Sequence, residues 1–408
     1  MPRWPRQVLF GDIDAMFASA AVVKDPSLAG QPIAVGGPPP RGIIAAASYA
    51  VREFGVRSAM PTAEALRLCP QLRLIPPDRP LYRRLHDDMR AVTGRLFPAT
   101  EWSSIDEFYV DTTDLQTRYP DPAVLARLVK QSIRDATGLT CTVAVATGKT
   151  VAKIAADASK PDGLAVVEPQ LEAAFLFPQP LRALPGIGPK TAARLEPFGI
   201  RTIGGLLDPQ WDRMLVRLFG ARLPWIRALA QGQDHEPVVA DRESKSASHE
   251  TTFEHDTADR AFLEELLRGF LRALARDLRQ EDLAAGGCTV KLKDARFAIT
   301  TRQRRFAHPL NYDPEMWPTV QQALHEVMKP HTAYRLAGLA LSPLVPAPPG
   351  LYDQRRSKAV QAMDAIIARH GAVIGLGGVA DEDHESLTTL SNPPSRAALS
   401  FYLTTQSV

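Results

Sequence analysis

Ser103-Ser104-Ile105-Asp106-Glu107-Phe108-Tyr109-Val110-Asp111 decides the reading of this 408-residue chain. Two adjacent carboxylates stand inside an apolar, β-prone run. Two buried carboxylates ~5 Å apart repel by roughly 3 kcal/mol at an effective dielectric of ~20. A chain keeps such a pair when protons or cations neutralise it.

A second acidic strand lies upstream, Val8-Leu9-Phe10-Gly11-Asp12-Ile13-Asp14. Strand alternation puts Asp12 and Asp14 on one face and Ile13 on the other. Asp106 and Glu107 are consecutive, so both serve one site only at a strand end, where the pleat relaxes. The expectation is that Asp12, Asp106 and Glu107 converge from neighbouring strands to hold two Mg²⁺, with Mn²⁺ able to substitute. Oxygen-only ligands suit that hard cation, and paired metals of this kind serve phosphoryl transfer.

The bulk properties bound the alternatives. The net charge of +3 is only mildly basic, so a nucleic-acid surface must be local. Cys69, Cys141 and Cys288 lie far apart with no metal-ligand spacing, which argues against a zinc site or a disulfide framework. No run of 18 apolar residues occurs. A soluble cytoplasmic protein with no signal peptide and no membrane partner is expected.

Taken in order, the first acidic strand runs into a helix over Ala15 to Val23, then strands near 31–37 and 43–47 and a short helix from Thr62 to Cys69. Leu81, Leu85, Met89, Val92 and Leu96 predict a longer helix. Asp121-Pro122 opens another, with Val124, Leu125, Leu128, Val129 and Ile133 as its stripe and Gly138 past its end. A strand from Thr140 to Ala146 and a helix from Thr150 to Ala158 complete an α+β unit with its helices on one face. Leu184-Pro185-Gly186-Ile187-Gly188-Pro189-Lys190 reads as a helix-hairpin-helix turn, whose backbone N–H groups face a phosphate. The chain from there to Gln233 is expected to be wholly helical.

Residues 237–248 are polar and predict a linker. Phe262, Leu266, Phe270, Leu274 and Leu278 predict one long helix. Two strands follow, Cys288 to Lys293 and Phe297 to Phe306. Between Cys288 and Leu310 six cations stand against Asp294, a local charge of about +5. Lys291 and Lys293 share one face and Val290 and Leu292 the other. This basic sheet, with Lys291, Lys293, Arg302 and Arg304, is expected to contact a nucleic-acid backbone.

Five segments together resemble the Y-family of translesion DNA polymerases, most of all the bacterial DNA polymerase IV group. They are the Asp12 strand, Ser48-Tyr49-Ala50-Val51-Arg52 with Phe54 to Pro61, Ser104-Ile105-Asp106-Glu107, Lys153 to Asp157 with Ser159 to Gly163, and the Gly186/Gly188 hairpin. The resemblance covers Val8 to Leu344.

It implies an α+β multidomain, right-hand polymerase. Residues 1–20 and 76–166 would form the palm, 21–75 small fingers and 167–236 a helical thumb with the helix-hairpin-helix. Residues 237–247 would be a linker, 248–345 an α/β little finger and 346–408 a tail. The activity implied is error-prone, lesion-bypassing DNA synthesis from dNTPs on primer-template DNA, by a monomer. Asp12, Asp106 and Glu107 match the metal-binding carboxylates, with the Ile13 carbonyl as a further ligand. Phe17 matches the steric gate under the sugar, and Tyr49, Arg52 and Lys160 the residues holding the triphosphate. Gly186, Gly188 and Lys190 would bind DNA. Leu351-Tyr352-Asp353 is the nearest match to a sliding-clamp peptide.

There are departures: Ala46 and Ser48 stand where the family often has Thr and Asn, and Ala144 to Lys149 replaces Gly-Ile-x-x-Asn-Lys. Asp14 is read as structural. The rival readings are a catalytically inactive polymerase-like DNA-binding adaptor and a nucleotidyl cyclase. The first need not keep three metal ligands, and the second would not need the Gly186 hairpin or the basic sheet.

Overall fold

The computed structural model describes residues 4–240, 243–348 and Ala362. These residues fall into two compact units that divide between residues 240 and 243.

The first unit opens with β1 (Val8–Ile13), α1 (Met16–Lys24), β2 (Ile33–Gly36), β3 (Ile44–Ala47), α2 (Tyr49–Arg52), α3 (Thr62–Leu68) and β4 (Arg73–Ile75). It continues through α4 (Arg79–Leu96), β5 (Glu101–Trp102), β6 (Glu107–Asp111), α5 (Pro122–Thr137), β7 (Cys141–Ala146), α6 (Lys149–Ser159) and β8 (Leu164–Val166). Four short helices close it: α7 (Glu172–Leu176), α8 (Pro189–Leu195), α9 (Asp212–Phe219) and α10 (Leu223–Ala230).

The main sheet has the order β5-β6-β1-β7-β8, so the two acidic strands are neighbours at its middle. Every residue of β1 and β7 is buried. On β1, Leu9 and Ile13 pack with Met89 of α4 and Ile133 of α5, whereas Val8 and Phe10 pack with Ile154 of α6. Helices therefore cover both faces, which corrects the expectation of one. The physical reason is that β1 is apolar at both parities, and neither face can be left in water. Gly11 is required where it stands: a Cβ there would lie 2.3 Å from the Phe108 ring.

The order β3-β2-β4 makes a second, three-stranded sheet. Ser48 caps α2, its hydroxyl accepting from Val51 N and from Ile33 N at 3.4 and 3.2 Å. Beyond β8 the chain is less helical than expected. The first limb of the Gly186 hairpin is one 3₁₀ turn, Leu181–Ala183. Pro178, Pro180 and Pro185 explain this, since each removes an N–H donor and blocks a continuous i→i−4 ladder.

The second unit comprises β9 (Ala247–Thr257), α11 (Arg260–Gln280), β10 (Leu283–Asp294), β11 (Ile299–Leu310), α12 (Asp313–Val327), β12 (Tyr334–Leu341) and β13 (Leu344–Pro346). Its sheet runs β11-β10-β12-β9, with β13 on β10, and its core packs α11 and α12 against one face. The polar stretch expected as a linker gives way to β9 at Ala247. Only Ala247 and Phe253 of that edge strand are buried, so it carries almost no apolar alternation. On α11 the four-residue spacing misleads as well. At ~100° per residue each step of four drifts by ~40°, so Phe262 ends 37% exposed while Leu263, Leu267 and Leu271 share the core with Phe270 and Leu274. Among the described residues no helix is long and apolar enough to cross a membrane.

Candidate active site

Asp12 lies directly opposite Glu107 across β1 and β6. Directly paired residues project to the same face of a sheet, here the face of Phe10 and Tyr109 that α6 covers. Asp106 sits just before β6 begins, and its carbonyl accepts from Ile13 N at 2.9 Å. The strand end expected from two consecutive acids is thus present. Ser104 organises the bend: its hydroxyl donates to Asp106 Oδ1 at 2.5 Å and accepts from Glu107 N at 3.0 Å.

Two ammonium groups neutralise the cluster. Lys160 Nζ lies 2.5 Å from Asp12 Oδ2 and 3.0 Å from Asp157 Oδ1. Lys153 Nζ lies 2.5 Å from Glu107 Oε1. Burial holds the carboxyls of both Asp12 and Asp106 above the usual range, against the opposing pull of Lys160 on Asp12 and of Ser104 on Asp106. Burial also pulls Lys160 down, but the carboxylates of Asp12 and Asp157 outweigh it and hold its ammonium above the ordinary value. The site carries more acid than it can keep ionised without cations.

As the side chains stand, no three His, Cys, Asp or Glu among the described residues are gathered closely enough to hold a metal ion. Each of these three carboxylates is engaged with Lys160, Ser104 or Lys153. The donor set, three carboxylates and a backbone carbonyl beside cations that stand where positive charge is needed, nonetheless fits a hard divalent ion.

The nucleotide-binding candidates gather nearby. The Arg52 guanidinium lies 4.4 Å from the centroid of the Tyr49 ring, and its Nε donates to Ala47 O at 3.0 Å. Burial, and then the Asp14 carboxylate, push the Tyr49 phenol up, so it stays a hydroxyl. Phe17 begins α1 on the edge of the core and stacks on Tyr82, ring centroids 4.4 Å apart and 28° from parallel.

In the second unit the register separates residues that the sequence reading grouped. Val290 pairs with Arg302 and Cys288 with Arg304, so both arginines lie on the helix-covered face. There Glu326 receives both, with Arg302 Nε at 2.9 Å. Lys291 and Lys293 pair with Thr301 and Ile299, and Gly287 with Arg305; these occupy the opposite face, which among the described residues neither α11 nor α12 covers. Lys291 is bound to Glu250 at 2.8 Å. The structure thus does not bring the four basic residues together, and it adds Arg305 to the open face. In the thumb-like region Gly186 has φ 87°, and a Cβ there would meet Arg222 and Trp225 at 2.8 and 3.3 Å. Gly188 is the N-terminal cap of α8, with Pro189 and Lys190 in its first turn. Leu351 and Tyr352 lie outside the described residues.

Sequence reasoning gave no role to Lys153, Ser104 or Tyr82. Lys153 was detectable, because it stands one helical turn before Asp157. Tyr82 carried no local signal.

Comparison with known proteins decides the family. Residues 11–157 match the impB/mucB/samB family, 244–353 its C-terminal domain and 169–200 the IMS family HHH motif. The DNA polymerase IV of Halorhodospira halophila is 38% identical over 343 residues, 84% of this chain and 96% of that protein. That of Methanoculleus marisnigri is 40% identical over 346 residues, 83% of this chain and 94% of that protein. The chain belongs to the Y-family of DNA polymerases. A solved Y-family DNA polymerase chimera, Dbh-Dpo4(243-245)-Dbh, covers 83% of this chain and 99% of its own, with a TM-score of 0.75 at 26% identity. An insertion ternary complex of Dbh DNA polymerase gives 0.61 at 26% identity over 83% of this chain and 99% of its own. The α+β right-hand architecture of the Y-family, with its helix-hairpin-helix, is therefore the fold of this chain.

Proposed function

We propose that this chain is a template-directed, lesion-bypassing DNA polymerase that transfers nucleotides from dNTPs to a primer, with Asp12, Asp106 and Glu107 as its catalytic carboxylates. The observation that carries the site reading is the pairing of Asp12 with Glu107 across adjacent strands, with Asp106 at the turn. The inactive-adaptor reading has nothing in its favour, since the relatives of this chain are DNA polymerases and the chain keeps all three acids. Residues 1–20 and 76–166 act as palm, 21–75 as fingers, 167–236 as thumb and 248–345 as little finger.

Phosphoryl transfer needs positioning and charge neutralisation more than covalent chemistry from the protein. The two Mg²⁺ proposed here would be held by Asp12, Asp106, Glu107 and the Ile13 carbonyl, and supply activation of the attacking oxygen and stabilisation of the leaving one. Lys160, Arg52 and Tyr49 orient and neutralise the triphosphate. Lys153, already against Glu107, restrains that carboxylate's rotamer. Phe17, backed by Tyr82, lies under the sugar. Gly186 and Gly188 present backbone N–H groups to a DNA phosphate, with Lys190 beside them. The enzyme works as a monomer, and clamp docking through Leu351-Tyr352-Asp353 remains part of this proposal.

Primer extension on undamaged templates and on a panel of damaged ones, with Mg²⁺ or Mn²⁺, tests the reading. Template-directed incorporation opposite at least one lesion supports it. No incorporation with either metal, from protein that binds primer-template DNA, overturns it in favour of an adaptor.

A further inference from the structure

Asp14 is 2% exposed and accepts from three neutral donors drawn from three parts of the first unit. Thr142 Oγ1 of β7 donates to its Oδ1 at 2.8 Å. The backbone N–H of Asp162 donates to its Oδ2 at 2.9 Å. The Tyr49 hydroxyl reaches Oδ1 at 3.5 Å, a long contact. A carboxylate this deep is costly to bury unless its oxygens are used, and here every contact leads to a nucleotide-binding candidate or its support. Asp162 follows Lys160 by two residues and has φ 51°, a left-handed conformation that the chain must hold in place. Thr142 ties the same turn a second time, its hydroxyl accepting from Gly163 N at 3.2 Å. From outside, Lys130 Nζ and Arg134 Nη2 grip the Asp162 carboxylate at 2.7 and 2.6 Å.

Asp12 on β1 and Asp14 in the turn just past its end therefore hold the two side chains expected to receive the triphosphate. Asp12 holds Lys160 directly, and Asp14 holds the turn that carries Lys160 together with the Tyr49 hydroxyl.

We infer that Asp14, oriented by Thr142, is a positioning residue for the incoming nucleotide: it fixes the Lys160–Gly163 turn and keeps the Tyr49 hydroxyl aimed into the site until a phosphate takes it. This rests on the assignment of Tyr49 and Lys160 to the triphosphate. The long Tyr49 contact suits the role, because a weak hydrogen bond is given up easily to a charged acceptor. In this role Asp14 acts through Tyr49 and the Lys160–Gly163 turn, and not by a contact of its own with the nucleotide. Its loss should loosen nucleotide binding and leave the chemical step nearly intact.

The test is single-nucleotide insertion by the full chain on primer-template DNA, resolved into kcat and KM, beside equilibrium binding of a non-hydrolysable dNTP analogue and melting temperature. Asp14→Asn is expected to raise KM about tenfold with kcat within about twofold, the signature of lost substrate binding. The Thr142 pair keeps the test decisive even if Asp14→Asn does not fold. Thr142→Val keeps the volume and removes the hydroxyl; Thr142→Ser keeps the hydroxyl and removes a methyl. The inference requires Val to raise KM and weaken analogue binding while Ser stays near wild type, although packing alone favours Val. Equal KM for both variants, or a loss of kcat and melting temperature without a change in KM, overturns it. Tyr49→Phe and Lys160→Met serve as controls. If neither shifts KM, the triphosphate assignment fails and takes this inference with it. If they shift KM and the Thr142 pair does not, only the role of Asp14 fails.

Discussion

Lys160 places its ammonium 2.5 Å from Asp12 Oδ2, so a cation already sits on the first of the three carboxylates proposed as catalytic. The same lysine is the one expected to meet the triphosphate. The acids and the cations of this site are arranged as partners of each other, and the proposed function makes them partners of a charged substrate and its metal ions in turn.

Phe17 tests the sugar-binding side of that arrangement. Its ring is braced by Tyr82 at 4.4 Å and is not part of the fully buried core. Phe17→Ala is expected to raise the relative kcat/KM for ribonucleotides by about 100-fold or more, each ~1.4 kcal/mol of lost clash being tenfold. The competing outcome is a core cavity costing ~3–5 kcal/mol, which would lower the melting temperature and slow insertion of both sugars alike. Comparing rNTP with dNTP insertion beside a thermal melt separates the two.

The second unit makes a prediction about salt. Lys293 and Arg305 lie on the face away from α11 and α12, whereas Arg302 and Arg304 are held by Glu326 on the other. Replacing Lys293 and Arg305 with Ala should flatten the log-log salt dependence of DNA binding by about two units at most. Replacing Arg302 and Arg304 should change it by less. The reverse ranking, read from anisotropy titrations at several salt concentrations, would place DNA on the other side of this sheet.

His86 predicts a pH effect on stability. It is buried against Trp102, with Nδ1 2.9 Å from Ile105 O and Nε2 without a hydrogen-bond partner. Burial holds its pKa down at about 4, below the unfolded value near 6.5. The unfolded chain therefore takes up the proton first as pH falls. The stability contributed by neutral His86 is complete above pH ~6.5 and is lost progressively toward pH ~4, up to about 3 kcal/mol. Denaturant unfolding at pH 7 and pH 5 should show a larger loss for wild type than for His86→Asn, which keeps a donor for Ile105 O. Equal losses would remove His86 as the cause.

What the sequence revealed and what it hid have physical reasons. Asp12 and Glu107 could be read because acids inside apolar strands are costly and strand parity is local. Their convergence needed only that two neighbouring strands pair. The faces of Arg302 and Arg304 could not be read, because they depend on the register of β10 against β11 and not on either strand alone. The role of Asp14 was hidden because Thr142 and Asp162 lie 128 and 148 residues away in the chain. β9 was missed because an edge strand with two buried residues has little apolar pattern, and the α11 stripe was misjudged because a period of four outruns the helix.

Asp106 and Glu107 are proposed to serve nucleotide addition and not DNA grip. Single-turnover insertion by Asp106→Asn and Glu107→Gln, with primer-template affinity measured on the same preparations, tests it most directly. A rate at least about 1,000-fold below wild type is expected in each, with DNA affinity within about threefold. Insertion by either variant within about tenfold of wild type would contradict it.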